Sequence, residues 1–158
     1  MKKTKEALEW IVSILRKSKT DFQITGGLAA RIYGSNRKLA DIDIDLSEKE
    51  IIKLKSILRD YIIYEPKMYR DNNFKLFLMT LNFKGQKIDL CGIENQKVFN
   101  KGTKKWEKEK INLSQATNKT AYELKIPVIP LEDLINYKSK IRRRVDLIDI
   151  CKISLKVH

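Results

Sequence analysis

The sequence contains very little cysteine and histidine, which limits the chemistry that it can support. Its two cysteines, Cys91 and Cys151, stand far apart, and neither has a second sulfur at the Cys-x-x-Cys spacing of a metal or redox site. The single histidine, His158, is the last residue. These residues supply neither the ligands of a zinc site nor a Cys/His nucleophile.

The sequence also lacks a long apolar run. Residues 1–5 are basic, but the residues that follow mix charged and apolar types and form no continuous hydrophobic segment. This pattern favours neither a signal peptide nor a membrane span, so we expect a protein of the reducing cytoplasm with no membrane partner. At 158 residues, the chain suits one domain that folds without disulfide or metal staples.

Acidic residues are outnumbered, since 20 Asp and Glu stand against 33 Lys and Arg and the formal net charge is +13. A strongly basic surface concentrates polyanions, which makes nucleic acid a candidate partner. The alternative is that the lysines reflect overall composition, because much of the excess is scattered along the chain. The densest basic stretches are 97–110 and 138–144. An RNA partner is therefore an open hypothesis.

The acidic residues that are present include one ordered run, in which Asp41, Asp43 and Asp45 alternate with aliphatic residues. Because β-strand side chains alternate between faces, this run predicts carboxylates on one face and a core on the other. Neighbouring carboxylates repel one another without a counter-cation, and their hard oxygen atoms suit Mg²⁺, with Mn²⁺ as the alternative. Upstream, Gly26 and Gly27 allow a tight turn that brings backbone N–H groups to an anion. Together they predict a site for a metal-bound nucleoside triphosphate.

This stretch resembles the nucleotidyltransferase superfamily related to DNA polymerase β, whose pattern is a glycine pair, a short helix and Asp-x-Asp on a strand. The match has the Gly-Gly form of antibiotic-modifying and toxin-type members. The resemblance implies that Asp41 and Asp43 are catalytic metal ligands. It also implies that Gly26, Gly27 and Arg37 bind the nucleotide.

The superfamily needs a third carboxylate on a neighbouring strand, set between aliphatic residues. The sequence Ile88-Asp89-Leu90 provides this setting, on the second strand of a hairpin predicted over 74–91. The resemblance gives Asp89 two roles, as the third metal ligand and as a group that helps to deprotonate the acceptor hydroxyl.

A further match lies near the C-terminus, where residues 126–149 resemble the helical segment that follows the catalytic sheet in these enzymes. The resemblance implies that Lys138 and Arg143 reach the triphosphate. Asp146 and Asp149 are expected to be structural, because such residues more often pair with basic neighbours or cap a helix than bind metal.

The predicted fold class is α+β, a small mixed β-sheet flanked by helices, with a helical C-terminal portion. One nucleotidyltransferase domain is expected over 1–158, with the catalytic sheet at about 20–92 and the acceptor side at about 93–158. Residue spacing predicts helices over 5–17, 28–33, 47–59, 131–142 and 145–155, and strands over 21–25, 42–46, 61–64, 74–83 and 87–91. Ser47 and Glu50 predict a capping box for the third helix. Between 94 and 125 we predict only one strand, near 120–124.

The functional hypothesis is a metal-dependent nucleotidyltransferase that moves a nucleoside monophosphate from an NTP to an acceptor hydroxyl and releases pyrophosphate. The acceptor stays open between an antibiotic-like small molecule, an RNA 3′ end and a protein, and so does the preferred NTP, ATP included. Homodimerisation is a further hypothesis, in which a second copy completes a short acceptor cleft.

Three other functions fit parts of the pattern. A glycosyltransferase also uses Asp-x-Asp to hold a metal, although this chain is short for one. A metal-dependent nuclease is the second alternative. The third is a non-catalytic protein of this fold that binds RNA or a partner protein through its basic surface.

Overall fold

The computed structural model describes residues 2–157. Within them, helices occupy Lys2–Lys17 (α1), Gly26–Ile32 (α2), Glu48–Leu58 (α3), Leu131–Ile141 (α4) and Arg144–Val157 (α5). Strands occupy Phe22–Thr25 (β1), Asp41–Leu46 (β2), Ile62–Arg70 (β3), Phe74–Phe83 (β4), Gln86–Gly92 (β5), Lys97–Asn100 (β6), Lys105–Lys108 (β7), Thr117–Ala121 (β8) and Leu124–Val128 (β9).

All of these strands join one mixed sheet. Eight of them follow the order β7-β6-β4-β5-β2-β1-β9-β8, and β3 lies outside this order and pairs with β4. β2 is antiparallel to β1 but parallel to β5, so the centre of the sheet is mixed. The predicted fold class, an α+β fold with a mixed sheet flanked by helices, is confirmed.

The hydrophobic core packs one face of the sheet against the helices α1 and α3, and it also contains buried apolar residues of α2, α4 and α5. The apolar stripe of α1 is buried, as its helical spacing predicts, and so is that of α3. The alternate residues Ile42, Ile44 and Leu46 of β2 are fully buried on this face. The opposite face of β2 therefore carries the acidic residues. α2 packs against β1 and β2 and also contacts α4 and α5.

The predicted capping box of α3 is wrong. Ser47 precedes the helix, but its Oγ donates a hydrogen bond to Glu94 Oε2 at 2.9 Å, and the Glu48 N–H donates to Glu94 Oε1 at 2.9 Å. Glu50 instead accepts a hydrogen bond from Thr20 Oγ1 at 3.1 Å. A carboxylate from the segment after β5 thus caps the helix, and such a distant partner is not visible in the local sequence.

The segment 94–125 contains more strand than the sequence predicts. β6 and β7 form one hairpin, and β8 and β9 form another. The strand predicted near 120–124 falls across the turn of the second hairpin, where Tyr122 and Glu123 have φ of 50° and 70°. Two consecutive residues with positive φ are typical of a tight two-residue hairpin turn. Glycine or asparagine usually occupies such a turn, and neither is present here, so the sequence did not predict the turn.

None of the helices between residues 2 and 157 is both long enough and apolar enough to cross a membrane.

Candidate active site

One row of residues crosses the centre of the sheet and forms the floor of a cleft. Thr25 on β1 faces Asp43 on β2, Asp43 is in register with Asp89 on β5, and Asp89 faces Thr80 on β4. Thr80 Oγ1 donates a hydrogen bond to Asp89 Oδ1 at 2.7 Å. Asp43 and Asp89 are direct neighbours on two adjacent parallel strands. Register alone therefore joins two acidic residues that are distant in the sequence.

The electrostatics of this row are unfavourable for the ionised carboxylates. Burial, followed by the charges of Asp89, Asp41 and Asp45, raises the pKa of Asp43 to about 8, and the charge of Lys138 acts in the opposite direction. Burial and the charge of Asp41 also raise the pKa of Asp89, while the hydrogen bond from Thr80 lowers it. A cation between these groups would offset the repulsion.

The residues at this point suit a hard divalent cation, although the protein supplies only part of its coordination. Within residues 2–157, no three Asp, Glu, His or Cys side chains stand in the arrangement of a complete metal site. Mg²⁺ commonly binds one or two carboxylates and takes its remaining ligands from water and substrate phosphates. The crowded carboxyl groups of Asp43 and Asp89, with Asp41 beside them, fit that mode of binding.

Asp45 shares the acidic face of β2 but has different partners. Its carboxylate is 2% exposed and accepts hydrogen bonds from Gln23 Nε2 at 3.0 Å and from Gln96 Nε2 at 3.4 Å. Burial raises its pKa to about 6, against the effect of these two amides. Asp45 is thus held by neutral donors away from the Asp43 and Asp89 pair.

The two glycines follow β1 directly and lie against the acidic row. Gly26 has φ of +62°, and a Cβ there would overlap the carboxylate of Asp43. A Cβ on Gly27 would stand 2.8 Å from Arg37 Nη2. Gly26 therefore requires glycine for its backbone conformation and for space, whereas a Cβ at Gly27 would require only a shift of the Arg37 guanidinium.

We expect the Gly26→Ala variant to lose about 1–3 kcal/mol of stability and most of any metal or nucleotide binding. The added methyl group must displace the Asp43 side chain, and the left-handed backbone is strained for alanine. Urea denaturation and Mg²⁺ titration by thermal shift measure the two effects. Gly85→Ala is the control, because Gly85 also has positive φ, at +85°, but lies in the β4-β5 turn with only the Lys3 side chain nearby. Equal loss of Mg²⁺ binding in both variants would contradict the clash.

A buried ionic network forms the wall of the cleft that α4 and α5 provide. Lys138 is 1% exposed, and its Nζ lies 3.0 Å from Asp146 Oδ1 and 3.1 Å from Asp149 Oδ2. Arg37 holds Asp149 with two bonds, Nε to Oδ1 at 3.0 Å and Nη2 to Oδ2 at 2.9 Å. Arg143 holds Asp146 in the same way, with Nε to Oδ2 at 2.7 Å and Nη2 to Oδ1 at 3.1 Å. The two aspartates thus fix all three predicted nucleotide-binding cations at the cleft.

The network is expected to make stability fall in acid. Burial alone would raise the pKa of Asp146 and of Asp149. The hydrogen bond from Arg143 to Asp146, the hydrogen bond from Arg37 to Asp149 and the charge of Lys138 outweigh burial, so the pKa of each aspartate is lowered. When the pKa of a carboxyl is lower in the folded state than in the unfolded state, its ionised form stabilises the fold. This stabilisation is complete above the unfolded-state pKa of about 4 and is lost as the pH falls through the folded-state pKa. Melting temperatures between pH 2 and 7 should therefore drop steeply below about pH 4. In the Asp149→Asn variant this drop should be smaller; an unchanged drop would contradict the assignment.

The cleft has a volume of about 700 Å³, and its lining contains every residue that the sequence assigned to the site. These are Gly26, Gly27, Arg37, Asp41, Asp43, Asp89, Lys138 and Arg143. The structure thus brings the predicted residues together, while their roles remain predictions.

Sequence reasoning missed several residues of this cleft. Tyr137 lines it, and burial and the charge of Asp43 raise the pKa of Tyr137. Thr80 orients Asp89. The only indication of this in the sequence is that Thr80 belongs to the strand that pairs with the strand of Asp89. Cys91 also lines the cleft, and burial raises the pKa of its thiol well above the usual value, which disfavours the reactive thiolate.

Comparison with known proteins gives matches to solved structures alone: no family model and no curated protein matches the sequence. One similar structure is a Thermotoga maritima protein provisionally described as a nucleotidyltransferase, with 20% identity, a TM-score of 0.72, and coverage of 97% of this chain and 92% of that one. Another is the aminoglycoside nucleotidyltransferase ANT(2″)-Ia in complex with adenylyl-2″-tobramycin, with 12% identity, a TM-score of 0.54, and coverage of 98% and 99%. The chain thus shares its fold with these two solved structures.

Proposed function

On this fold, we propose that the protein is a metal-dependent nucleotidyltransferase that moves a nucleoside monophosphate from an NTP to an acceptor hydroxyl. The observation that carries the proposal is the row in which Asp43 and Asp89 meet in register, with Asp41 beside them and the glycine pair against Asp43. A binding module would gain nothing from crowding three carboxylates into one cleft, whereas phosphoryl transfer uses such a group to hold metal.

Each part of the cleft has a proposed task in an in-line displacement. Gly26 and Gly27 let the β- and γ-phosphates approach the backbone N–H groups. Thr80 holds Asp89 Oδ1, which leaves Oδ2 to accept the proton of the acceptor hydroxyl. The hydroxyl oxygen then bonds to the α-phosphorus as the bond to pyrophosphate breaks.

Asp41, Asp43 and Asp89 would hold Mg²⁺, or Mn²⁺ in its place, together with phosphate oxygens. The bound ions would supply charge stabilisation for the attacking and leaving oxygens.

Lys138 and Arg143 offset the charge of the triphosphate in this proposal. An ammonium group has three N–H donors, and two of those of Lys138 are directed to Asp146 and Asp149, so one remains for a phosphate oxygen. The Arg143 side chain is 37% exposed, so its guanidinium can reach a bound nucleotide while it holds Asp146. Arg37 shares this role, because it lies beside Gly27.

The test is label transfer from each of the four α-³²P-labelled nucleoside triphosphates with Mg²⁺ or Mn²⁺. The acceptors offered are total RNA, lysate protein and a panel of hydroxylated small molecules. Label that appears on one acceptor class and disappears with EDTA supports the proposal and identifies the acceptor and the base. No transfer, combined with no metal-dependent triphosphate binding, would overturn it. Strand cleavage without transfer would indicate the nuclease instead.

One observation favours a second function, RNA binding. Arg70, Lys75, Lys97 and Lys108 face one another in register across β3, β4, β6 and β7. None of the four pairs with a carboxylate within residues 2–157. Like charges directly opposite destabilise a sheet, and a polyanion would relieve the repulsion. Trp106 of β7 lies beside this cationic row, with the Lys75 Nζ 4.2 Å from its ring centroid.

If the cationic row binds RNA, the Lys75→Gln/Lys97→Gln double variant should bind total RNA about tenfold more weakly at 100 mM salt and show a shallower salt dependence. Lys49→Gln/Lys53→Gln on α3 is the control of equal charge. Filter binding across 50–300 mM salt measures both slopes. Equal loss in the two double variants would mean that net charge alone attracts RNA.

A further inference from the structure

The last helix, α5, carries an apolar ridge on its solvent side. Leu147 is 52% exposed, Leu155 is 71% exposed, and Cys151 between them is also exposed. Residues spaced by four are neighbours on a helix, so these three side chains form one continuous ridge. α5 packs against α4 and α2, and its buried residues, among them Asp149 and Ile153, lie on the side opposite the ridge. The helix is thus packed on one side and apolar at the surface on the other.

A second ridge beside the first leaves a groove along the helix. Arg144, Ile148 and Lys152 follow the same spacing of four. The α5 groove has a volume of about 500 Å³ and is lined by residues of both ridges: Arg144, Leu147, Ile148, Cys151 and Lys152. Helices pack by placing a ridge of one into a groove of the other, so this surface has the shape that a second helix fits. A lipid surface, which is fluid, gains nothing from such a groove.

The charged residues that line the α5 groove are basic. Arg144 and Lys152 are both exposed. The acidic residues of α5, Asp146 and Asp149, are buried against Lys138 and do not offset this charge at the surface. An acidic partner is therefore attracted to the groove. A second copy of the chain would bring the same basic residues and a net charge of +13, so charge disfavours self-association through this face.

The alignment of the exposed apolar residues is what sets this face apart. Single exposed apolar side chains are normal on a protein surface and need no partner to explain them. Leu147 and Leu155 instead share one ridge and stand beside a groove with basic residues. Helix-in-groove recognition uses this arrangement, because an amphipathic helix lays its own apolar face on apolar residues at helical spacing.

We propose that the α5 groove is a docking site for an amphipathic helix of an acidic partner protein. The apolar residues of the partner helix cover Leu147 and Leu155. Carboxylates beside them on the same helix pair with Arg144 and Lys152. This interaction goes beyond the proposed transferase, because it needs neither nucleotide nor metal.

The test uses two synthetic helical peptides that differ only in charge. Both carry leucines at spacings of three and four on one face; the positions beside the leucines hold glutamate in one peptide and lysine in the other. Fluorescence anisotropy with the full chain, at about 100 mM salt, should show the acidic peptide binding about tenfold or more tightly than the basic one. Cys151 reports the location, because it is exposed while Cys91 is buried. Its alkylation by iodoacetamide should slow about tenfold when the acidic peptide saturates the protein.

Two double variants assign the binding to the ridge. Leu147→Ser/Leu155→Ser should weaken binding of the acidic peptide about tenfold or more. Ile52→Ser/Ile57→Ser is the matched control, because Ile52 and Ile57 on α3 are each 59% exposed but lie five residues apart, on different sides of that helix. The control should bind the peptide as the unaltered protein does. Equal melting temperatures of all three proteins would show that each variant keeps its fold.

Equal binding of the two peptides, no binding at about 1 mM, or equal effects of the two double variants would each overturn the proposal. Vesicles of phosphatidylcholine with phosphatidylserine test the membrane alternative. Binding to these vesicles that needs Leu147 and Leu155, without binding of the acidic peptide, would assign the face to a lipid surface and overturn the acidic helix. A dimer in light scattering that Leu147→Ser/Leu155→Ser dissociates would assign it to a second copy and overturn it equally.

Discussion

Replacement of Asp43 by asparagine is expected to lower nucleotidyl transfer by roughly 10³-fold or more while the fold is retained. Asparagine keeps the size of the side chain and one acceptor oxygen but removes the charge at the centre of the row formed by Thr25, Asp43, Asp89 and Thr80. Without that charge, the Asp43 and Asp89 pair no longer offers two anionic ligands to a metal. Initial rates with whichever labelled NTP supports transfer in the unaltered protein measure the effect.

The same substitution should stabilise the metal-free protein, which separates loss of chemistry from loss of fold. The folded-state pKa of Asp43 is raised to about 8, so ionisation of Asp43 opposes folding. That penalty is absent near pH 4, grows as pH rises towards 8, and does not exist for asparagine. The melting temperature of Asp43→Asn should therefore exceed that of the unaltered protein by more at pH 8 than at pH 5.

The control for this experiment is Asp21→Asn, which removes an exposed carboxylate just before β1. It should leave the rate, the melting temperature and its response to Mg²⁺ unchanged. In Asp43→Asn, the Mg²⁺-induced rise in melting temperature should disappear. Transfer at near the original rate in Asp43→Asn, or an unaltered Mg²⁺ response, would rule out Asp43 as a metal ligand.

Asp149→Asn is expected to lower the free energy of unfolding by about 3–5 kcal/mol. Asp149 accepts from Ser35, Arg37 and Lys138, and Lys138 is 1% exposed, so removal of this charge leaves buried cations without a full counter-charge. The structural role that the sequence suggested for Asp149 agrees with this contact set. Urea denaturation at pH 7 measures the change.

A surface pair provides the comparison for Asp149→Asn. Lys5 and Glu9 lie 3.9 Å apart, with side chains 40% and 45% exposed, so Glu9→Gln should cost less than about 0.5 kcal/mol. A loss of about 1 kcal/mol or less in Asp149→Asn would show that water reaches the network. A large loss of transfer activity that persists at temperatures where Asp149→Asn is fully folded would show that the network also positions Lys138 and Arg37 at the nucleotide.

The acidic strand shows how far the sequence alone determines the site. Strict alternation fixed which face of β2 carries Asp41 and Asp43, because side chains on a strand can only alternate, and burial of Ile42 and Ile44 confirms the assignment. Gly26 was identified in the same way, since few other residues adopt its backbone conformation. Both signals are local, so no knowledge of distant residues was needed.

The tertiary structure decided what these residues meet. The register of β2 with β5 brings Asp89 to Asp43, and α5 brings Asp149 to Arg37, across intervals that no local pattern encodes. It likewise placed Glu94 at the start of α3, and it formed strands of two hairpins in the segment 94–125, whose sequence showed little periodicity. The physical reason is that side-chain direction follows from backbone geometry within one element, whereas pairing and burial depend on how separate elements pack. The sequence determined the residue types and faces of the acidic row, and packing alone decided its partners.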